Sequence, residues 1–482
     1  MFLGIDVGTS GVKTVVTNAS NDVIEQAVAP LNVSRSQPLW SEQSPDDWWV
    51  ATQAAVMSLS PDRRAGIEAI GLSGQMHGAT LLGRDDRPLR PAILWNDGRS
   101  HAECVELEQL EPRSRQISAN LAMPGFTAPK LIWVRKNEPD VFEQNAKVLL
   151  PKDYVRLVMS GDHASDVSDA AGTMWLDVES RGWSEPMLAA CGLDTSHMPK
   201  VYEGPEITGT LRESVAADWG MKPVPIVAGG GDNAAGAVGV GVISPGEAFL
   251  SLGTSGVLFL AGDANHPDPE AGVHAFCHAL PGRWHQMSVM LSAASSLDWA
   301  ARLTGLPGGA DLAAAAELRD RLDGGEVFLP YLSGERTPHN NPHARGVLFN
   351  LNHDSDAAAI GQAVLEGVAF AFADGLDALV HAGGKLNAIT VIGGGARSRY
   401  WGRILAAALG KPLVYRRDGD VGPAYGAAKL AQLGLTGDAI ERVCAAPPEL
   451  ARIEPDTVDI DQLAGKRERF RDLYQNLKPF FA

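Results

Sequence analysis

The chain has 482 residues, long enough for two domains, and its 45% of hydrophobic residues is typical of a globular protein with a substantial core. Its formal net charge is −17, which argues against nucleic acid or an anionic membrane as a partner, because either would need a broad basic surface. Glycine is more abundant than usual, with 52 residues, and much of the excess falls in a few clusters.

The first half of the chain alternates apolar strand patterns with helical patterns. The predicted elements are strands at 2–5, 12–17, 23–28 and 67–72 and a helix over 45–60. The helix begins after Ser44, with a proline and acidic residues in its first turn. Further alternation continues to about residue 240 and indicates a layered α/β arrangement.

The second half begins the pattern again. The predicted elements are strands at 246–251, 256–260 and 388–392 and helices at 293–304, 311–322, 357–382, 398–409 and 421–433. A Pro-Gly turn near 243–246 separates the two patterns and predicts a domain boundary there. Strand and helix alternation in both halves predicts α/β architecture with mixed sheets.

The four cysteines lie far apart and form no CxxC pair. They are Cys104, Cys191, Cys277 and Cys444. This spacing fits neither a zinc site nor a small disulfide framework, so buried thiols in a reducing cytoplasm are expected. We expect no signal peptide, since Asp6 interrupts the first apolar run, and no membrane span, since no uncharged apolar run reaches about 20 residues.

Two nearly identical glycine-rich segments lie half a chain apart. One is DVGTSG at 6–11 and the other is SLGTSG at 251–256, and each follows a short apolar run. Glycine lets a backbone approach a ligand and present its N–H groups, and threonine and serine hydroxyls can bond phosphate oxygens. A single segment of this kind is also typical of a hairpin turn. The repeat predicts two loops that grip one polyphosphate from both sides.

Asp6 ends the first predicted strand, beside the first of these loops. A carboxylate next to a bound triphosphate is repelled unless a cation lies between them, so Asp6 is predicted to hold or orient Mg²⁺ through water. The alternative is a turn aspartate that caps nearby N–H groups. Lys13, on the following strand, is either a phosphate contact or a solvated lysine.

A second acidic residue follows the glycine-rich end of another strand. The segment 225–236, PIVAGGGDNAAG, breaks from a buried strand into three glycines and then presents Asp232. A carboxylate there can accept a proton from a hydroxyl that attacks phosphorus, as an aspartate does in kinases generally. The alternative is a helix N-cap.

Three further segments place polar residues at strand ends or in loops. They are LSGQMHG at 72–78, LWNDGR at 94–99 and FLPYLSGERTP at 328–338. His77 can exchange hydrogen bonds with a polyol, although a lone histidine at a strand end is also commonly structural. The segment 328–338 is either a loop that lines a cleft or a solvated structural loop.

Together these residues resemble the FGGY carbohydrate kinases, of the wider actin, Hsp70 and hexokinase fold group, along essentially the whole chain. The segment GFTAPKLIW at 125–133 is similar to the first family signature, and 345–366 is similar to the second, except that Asn350 stands where a glycine is usual. The resemblance implies two ribonuclease-H-like domains with mixed sheets around a central cleft. The sugar-binding domain is expected at 1–243 and the nucleotide-binding domain at 244–482.

The resemblance also implies a role for each candidate residue. Asp232 is the expected base, and Asp6 and Asp232 are expected to serve the Mg²⁺ site, through water. The expected sugar contacts are Met76, His77, Asp232 and Asn233. The expected ATP contacts are Gly8, Thr9, Ser10, Lys13, Gly253, Thr254, Gly394 and Gly395.

Five segments resemble those of family members that act on the ketose D-xylulose. They are 74–78, 94–99, 168–175, 229–236 and 333–342. The expected reaction is therefore phosphoryl transfer from Mg-ATP to the terminal hydroxyl of D-xylulose, giving D-xylulose 5-phosphate and ADP. The alternatives are another polyol, such as ribulose, gluconate or glycerol, and a non-enzymatic ATPase module of the actin or Hsp70 kind. The oligomeric state stays open, with a homodimer as one alternative.

Overall fold

The fold is that of a computed structural model, which describes residues 1–417 and 421–481. From the N-terminus the elements are β1 (Phe2–Val7), β2 (Gly11–Thr17), β3 (Val23–Pro30), β4 (Glu42–Gln43), α1 (Pro45–Met57), α2 (Pro61–Ala65), β5 (Ala69–Gly74), β6 (Thr80–Leu82), β7 (Ala92–Ile93), α3 (His101–Leu110), α4 (Ser114–Ser118), α5 (Thr127–Asn137), α6 (Pro139–Gln144), β8 (Lys147–Leu149), α7 (Pro151–Ser160), β9 (Ala164–Asp166), α8 (Val167–Ala171), β10 (Leu176–Asp177), β11 (Gly182–Trp183), α9 (Glu185–Ala190), β12 (Lys200–Tyr202), β13 (Ile207–Thr210), α10 (Glu213–Trp219), β14 (Pro225–Val227), β15 (Gly230–Gly231) and α11 (Asp232–Val240).

The second half continues with a similar alternation. Its elements are β16 (Glu247–Leu252), β17 (Gly256–Gly262), β18 (His274–Cys277), β19 (Trp284–Met290), α12 (Ala294–Thr304), α13 (Gly309–Arg319), β20 (Val327–Leu329), β21 (Val347–Phe349), α14 (Ala357–His381), β22 (Ala388–Ile392), α15 (Arg399–Leu409), β23 (Leu413–Arg416), α16 (Pro423–Thr436), α17 (Ile440–Val443), β24 (Glu449–Ile453) and α18 (Thr457–Leu477). Short 3₁₀ helices cover Thr195–His197, Gly394–Arg397 and Lys478–Phe480.

The first half is built around a seven-stranded sheet, counted over the described residues. Its strand order is β13-β14-β5-β1-β2-β3, with β15 beside the end of β5. Strand β1 is antiparallel to β2 and parallel to β5, so Asp6 lies opposite Lys13 on one side and Ser73 on the other. Because the carboxyl ends of parallel strands meet at one edge of a sheet, the loops after β1, β5 and β15 lie together there.

The second half repeats this arrangement in a sheet of order β18-β19-β17-β16-β22-β23-β24 within the described part of the chain. Strand β16 is antiparallel to β17 and parallel to β22, as β1 is to β2 and β5. The two Gly-Thr-Ser-Gly segments are the turns of these two equivalent strand pairs. The predicted α/β architecture with mixed sheets is therefore confirmed.

Helix α16 follows the second sheet in sequence but packs on the first. A Cβ atom at Gly4 of β1 or at Gly71 of β5 would lie 1.8 or 1.9 Å from a carbonyl oxygen of α16, and one at Gly426 would lie 1.7 Å from that of Ala235. Side chains at these glycines would therefore push the helix off the sheet. The contact explains the glycines and joins the two halves.

Asn350 occupies the glycine position of the second signature with a backbone φ of +63°. This left-handed conformation favours glycine, and asparagine tolerates it better than most other residues. The departure from the family pattern therefore preserves the turn after β21.

All four cysteines are free and buried. Within residues 1–417 and 421–481, no helix combines the length and apolar character that a membrane crossing requires.

Candidate active site

An open cavity of about 300 Å³ is lined by residues from both halves of the chain. The lining includes four of the predicted sugar-site residues and two of the second loop, namely Met76, His77, Asp232, Asn233, Gly253 and Thr254. Met76 and His77 lie more than 150 residues before the other four in the sequence, and the two sheets bring all six together. The other predicted residues lie on the β1–β2 pair and after β22.

Asp232 is the first residue of α11 and follows the glycine strand β15. The backbone N–H and the side-chain amide of Asn233 both donate to its Oδ1, at 2.6 and 2.9 Å. Burial raises the pKa of Asp232 to about 6, while the bonds from Asn233 oppose that shift. Since both bonds end on Oδ1, the second oxygen, Oδ2, is available to accept a proton from a ligand.

Asp6 lies near Asp232, at the end of β1. Burial, and then the negative charge of Asp232, raise the pKa of Asp6 to about 7, against the opposing effects of Lys13 and Ser73. Its Oδ1 is buried without a hydrogen-bond partner in the described part of the chain. Two neighbouring carboxylates, one with an unsatisfied oxygen, form a site that favours a cation.

Two carboxylates provide too few ligands to hold a cation by protein groups alone. No group of three or more histidine, cysteine, aspartate or glutamate side chains suited to a metal ion occurs in residues 1–417 and 421–481. Mg²⁺ usually retains several waters and takes one or two carboxylates together with substrate phosphates, so Asp6 and Asp232 fit that ion in this manner.

His77 presents an acceptor nitrogen to the cavity. Its Nδ1 lies 2.7 Å from the carbonyl oxygen of Gly172, which can only accept, so Nδ1 carries the proton. Burial and the charge of Lys130 hold its pKa well below the usual value, so the ring is neutral and Nε2 is a free acceptor. Lys130 and Thr127 donate to the backbone carbonyl of His77, at 2.8 and 3.1 Å, and hold its φ of +68°.

Thr9, in the first loop, is bonded to the protein through its hydroxyl. The hydroxyl donates to Oε1 of Gln75 at 2.9 Å and accepts from the indole N–H of Trp95 at 3.0 Å. The carbonyl oxygen of Thr9 accepts from Gln43 at 2.7 Å. The loop is thus attached to Gln75, which precedes Met76, and to Trp95, which lines the cavity.

The remaining residues of the first loop form a tight turn between β1 and β2. The N–H of Gly8 donates to the carbonyl of Gly11 at 3.1 Å, and Ser10 is exposed. Lys13 donates to the carbonyl of Val421, beside α16, at 2.7 Å. The lysine therefore already has a contact with the second half of the chain.

The second loop and the glycines after β22 leave backbone open to a ligand. Thr254 is exposed, and its carbonyl accepts from the N–H of Ala293 at 3.0 Å, which fixes the turn against α12. A Cβ atom at Gly394 would meet nothing within 4 Å, whereas one at Gly395 would lie 2.8 Å from Leu252. Gly394 thus faces open space, and Gly395 packs against the end of β16.

Several cavity residues were not identified individually from the sequence. They include Trp95, Phe126, Val257, His274, Phe276 and Arg336. Trp95, Phe126 and Arg336 lie in segments that the motifs had marked, but the strand residues carry no local signal. Phe126 and Phe276 pack edge to face, with ring centroids 6.2 Å apart, and give the cavity an aromatic wall.

Comparison with family models and known relatives identifies the family of the chain. The model for the N-terminal domain of the FGGY family of carbohydrate kinases matches residues 1–239, and the model for its C-terminal domain matches 248–435. The chain is 55% identical to the xylulose kinase of Escherichia coli over the full length of both proteins. It belongs to the FGGY family of carbohydrate kinases.

Solved structures show the same fold. A xyloylose kinase from Brucella ovis is 47% identical, with a TM-score of 0.97 and coverage of 99% of each chain. The xylulose kinase from Rhodospirillum rubrum is 27% identical, with a TM-score of 0.92 and coverage of 100% of this chain and 99% of that one.

Proposed function

We propose that the chain is an ATP-dependent xylulose kinase, which transfers a phosphoryl group from ATP to the terminal hydroxyl of D-xylulose and releases D-xylulose 5-phosphate and ADP. The full-length similarity to the xylulose kinase of E. coli and the similarity to the B. ovis structure support this substrate. Membership in a carbohydrate kinase family supports the reaction class and the use of ATP.

The observation that carries the mechanism is Asp232 in a cavity shared by both halves. With a pKa of about 6, its carboxylate is mainly ionised at pH 7. A general base works best when its pKa lies near the working pH, and Asp232 meets that condition. The sugar hydroxyl donates its proton to Oδ2 as its oxygen attacks the γ-phosphorus. His77 and Met76, which follow β5 and line the same cavity, contact the sugar.

The nucleotide contacts follow from the two loops and the glycines after β22. We assign ATP binding to Gly8, Thr9, Ser10, Lys13, Gly253, Thr254, Gly394 and Gly395. Asp6 and Asp232 hold Mg²⁺ through water, and the ion supplies charge neutralisation to the phosphates when bound. Domains at 1–243 and 244–482 close over both substrates and exclude water. The buried free thiols support a cytoplasmic site of action.

The test is an ADP-release assay with Mg-ATP and a panel of D-xylulose, D-ribulose, L-ribulose, gluconate and glycerol. We expect strong stimulation by D-xylulose, with a loss of about 10²–10⁴-fold in turnover for Asp232→Ala. Asp62→Asn, an exposed acidic residue in the first turn of α2, is the matched control and should keep full activity. Omission of Mg²⁺ should abolish turnover.

Each of three other results would change a different part of the proposed function. Stimulation by another polyol alone would retain the mechanism and replace the substrate. ADP release that no sugar stimulates would contradict a sugar kinase and favour an ATPase module of the actin or Hsp70 kind. Full activity in Asp232→Ala would remove the aspartate from the role of base.

A further inference from the structure

The chemistry of the proposed acceptor limits the form in which it can react. A 2-ketopentose closes its five-membered ring through O5, the oxygen that receives the phosphoryl group. A reacting xylulose must therefore be open, with a ketone at C2 and hydroxyls at C1, C3 and C4. The ketone oxygen can only accept a hydrogen bond, and each hydroxyl must donate one when it is buried, so the cavity needs both a donor and acceptors.

Arg336 is a cation in the cavity wall, and the proposed mechanism does not use it. Its guanidinium makes no hydrogen bond or ion pair with the described residues, although it is largely buried. The neighbouring Glu335 forms no ion pair with the guanidinium in the described part of the chain, although its charge acts on Arg336; its Oε1 accepts from the backbone N–H groups of Leu291 and Arg336, at 3.0 and 2.8 Å. Burial raises the pKa of Glu335 to about 8, which favours its neutral form.

His274, on β18, has a fixed tautomer. The side-chain N–H₂ of Asn120 donates to the carbonyls of Ser118 and Ala275, at 2.8 and 2.9 Å, so its Oδ1 faces Nδ1 of His274, 2.9 Å away. An amide oxygen only accepts, so Nδ1 carries the proton. Burial lowers the pKa of His274 to about 3, and the ring is neutral.

The other nitrogen of His274 is therefore a pure acceptor. Nε2 is buried without a hydrogen-bond partner in the described part of the chain, in a residue that lines the cavity. The ring stacks on Phe276, with an interplanar angle of 12°, and cannot turn to find another partner without losing that contact and the bond from Asn120. An unsatisfied acceptor at a cavity wall calls for a donor from a ligand.

We propose that Arg336 and His274 determine specificity for the open ketose: Arg336 donates to the C2 ketone oxygen, and Nε2 of His274 accepts from one sugar hydroxyl. This assignment rests on the proposed function. It gives the guanidinium of Arg336 and Nε2 of His274 the hydrogen-bond partners that they lack in the described part of the chain. Asn120 acts through His274 as a positioning residue. A polyol without the ketone leaves the guanidinium with a weaker acceptor, so the cavity favours the ketose over the corresponding alcohol.

The test for Arg336 compares the dissociation constants of D-xylulose and its reduced form xylitol by calorimetry without ATP. We expect Arg336→Met to weaken ketose binding about 10–100-fold and xylitol binding much less, since the charged hydrogen bond is lost with the ketone only. Arg336→Lys should restore part of the preference. Arg64→Met, a buried arginine that donates to the carbonyls of Leu59 and Trp219, should lower Tm and keep the preference.

The test for His274 uses His274→Phe, which keeps the aromatic stack. We expect kcat/KM for xylulose to fall about 10–100-fold, and this penalty should disappear for one of the 1-deoxy, 3-deoxy and 4-deoxy analogues. His285→Phe is the matched control, since His285 is a buried imidazole that stacks on Phe259, with centroids 4.3 Å apart, outside the cavity. It should show the same kcat/KM ratios as the wild type.

Equal losses for xylulose and xylitol in Arg336→Met would overturn the ketone contact, and so would no loss. The same penalty for xylulose and all three analogues in His274→Phe would indicate a structural role and overturn the hydroxyl contact. If the wild-type protein phosphorylates a different sugar and not D-xylulose, the proposed function is wrong. That result is obtained with the wild type alone, so it is distinct from the results of the variants.

Discussion

The carboxylates of Asp6 and Asp232 come from different elements, β1 and α11, yet the charge of Asp232 raises the pKa of Asp6. Burial is the main cause of the raised pKa of both carboxyl groups, which is about 7 for Asp6 and about 6 for Asp232. Two such groups in one site give it a charge that changes within the physiological pH range. Protons and cations therefore compete for the same position.

The first prediction concerns the pH dependence of turnover. A base works when it is unprotonated, so kcat/KM for the sugar should fall as the pH drops below the pKa of Asp232, about 6. The measurement is kcat/KM between pH 5 and 8.5 at saturating Mg-ATP. A profile that stays flat from pH 7 down to 5 would contradict a base with that pKa.

The second prediction concerns the stability of the protein without ligands. Asp6 holds its proton more tightly in the folded than in the unfolded state, so its ionisation opposes folding increasingly as the pH rises from about 4 to 7. Asp6→Asn should therefore raise Tm at pH 8 and change it much less near pH 3.5, where the carboxyl is mainly protonated in both states. The measurement is calorimetric Tm at both pH values. An equal Tm shift at the two pH values would exclude a charge effect.

The same variant should lose turnover, which distinguishes a functional carboxylate from a structural one. A residue that destabilises the folded protein when ionised is retained when function requires its charge. Asp22→Asn, at an exposed turn, serves as the control for both measurements. Its Tm difference from the wild type should not follow the pattern of Asp6.

Local patterns predicted the strands and long helices well. The strand at 388–392 is observed as Ala388–Ile392 and the helix at 357–382 as Ala357–His381. These elements have a strong apolar period that their own residues define. Two-residue strands such as Gly230–Gly231 were not predicted as separate elements, because their pairing depends on β5.

The site was only partly predictable from sequence, for a related reason. Consecutive polar residues after a strand, such as Met76 and His77, are visible in the chain itself. In the sequence, His274 is a single histidine in an apolar strand. Its tautomer is fixed by a hydrogen bond to Asn120, which lies 154 residues earlier, so no local pattern reveals its role. The packing of α16 on the first sheet is likewise a property of distant backbones that only the fold brings together.

The third prediction concerns the connection between the first loop and the cavity. Thr9→Val keeps the shape of the side chain but removes the hydroxyl that joins Gln75 and Trp95. The two lost bonds are together worth about 1–3 kcal/mol, so we expect kcat/KM to fall about 5- to 150-fold. Thr9→Ser retains the hydroxyl and should stay close to the wild type. Similar kinetics for Thr9→Val and the wild type would show that the loop does not need this connection.

The last prediction separates two neighbouring glycines. Gly393 has a φ of +88°, and a Cβ atom there would lie 2.9 Å from the carbonyl oxygen of Leu252, so Gly393→Ala should lower Tm. Gly394 has no atom within 4 Å of that position, so Gly394→Ala should keep Tm. If the nucleotide lies against Gly394, the added methyl group displaces it, and KM for ATP should rise roughly ten- to hundredfold. The measurement is KM for ATP at saturating sugar, with Tm as the control. No atom of the described residues lies near the added methyl group, so the clash we expect is with a bound nucleotide. An unchanged KM for ATP in Gly394→Ala would therefore show that the nucleotide does not contact Gly394.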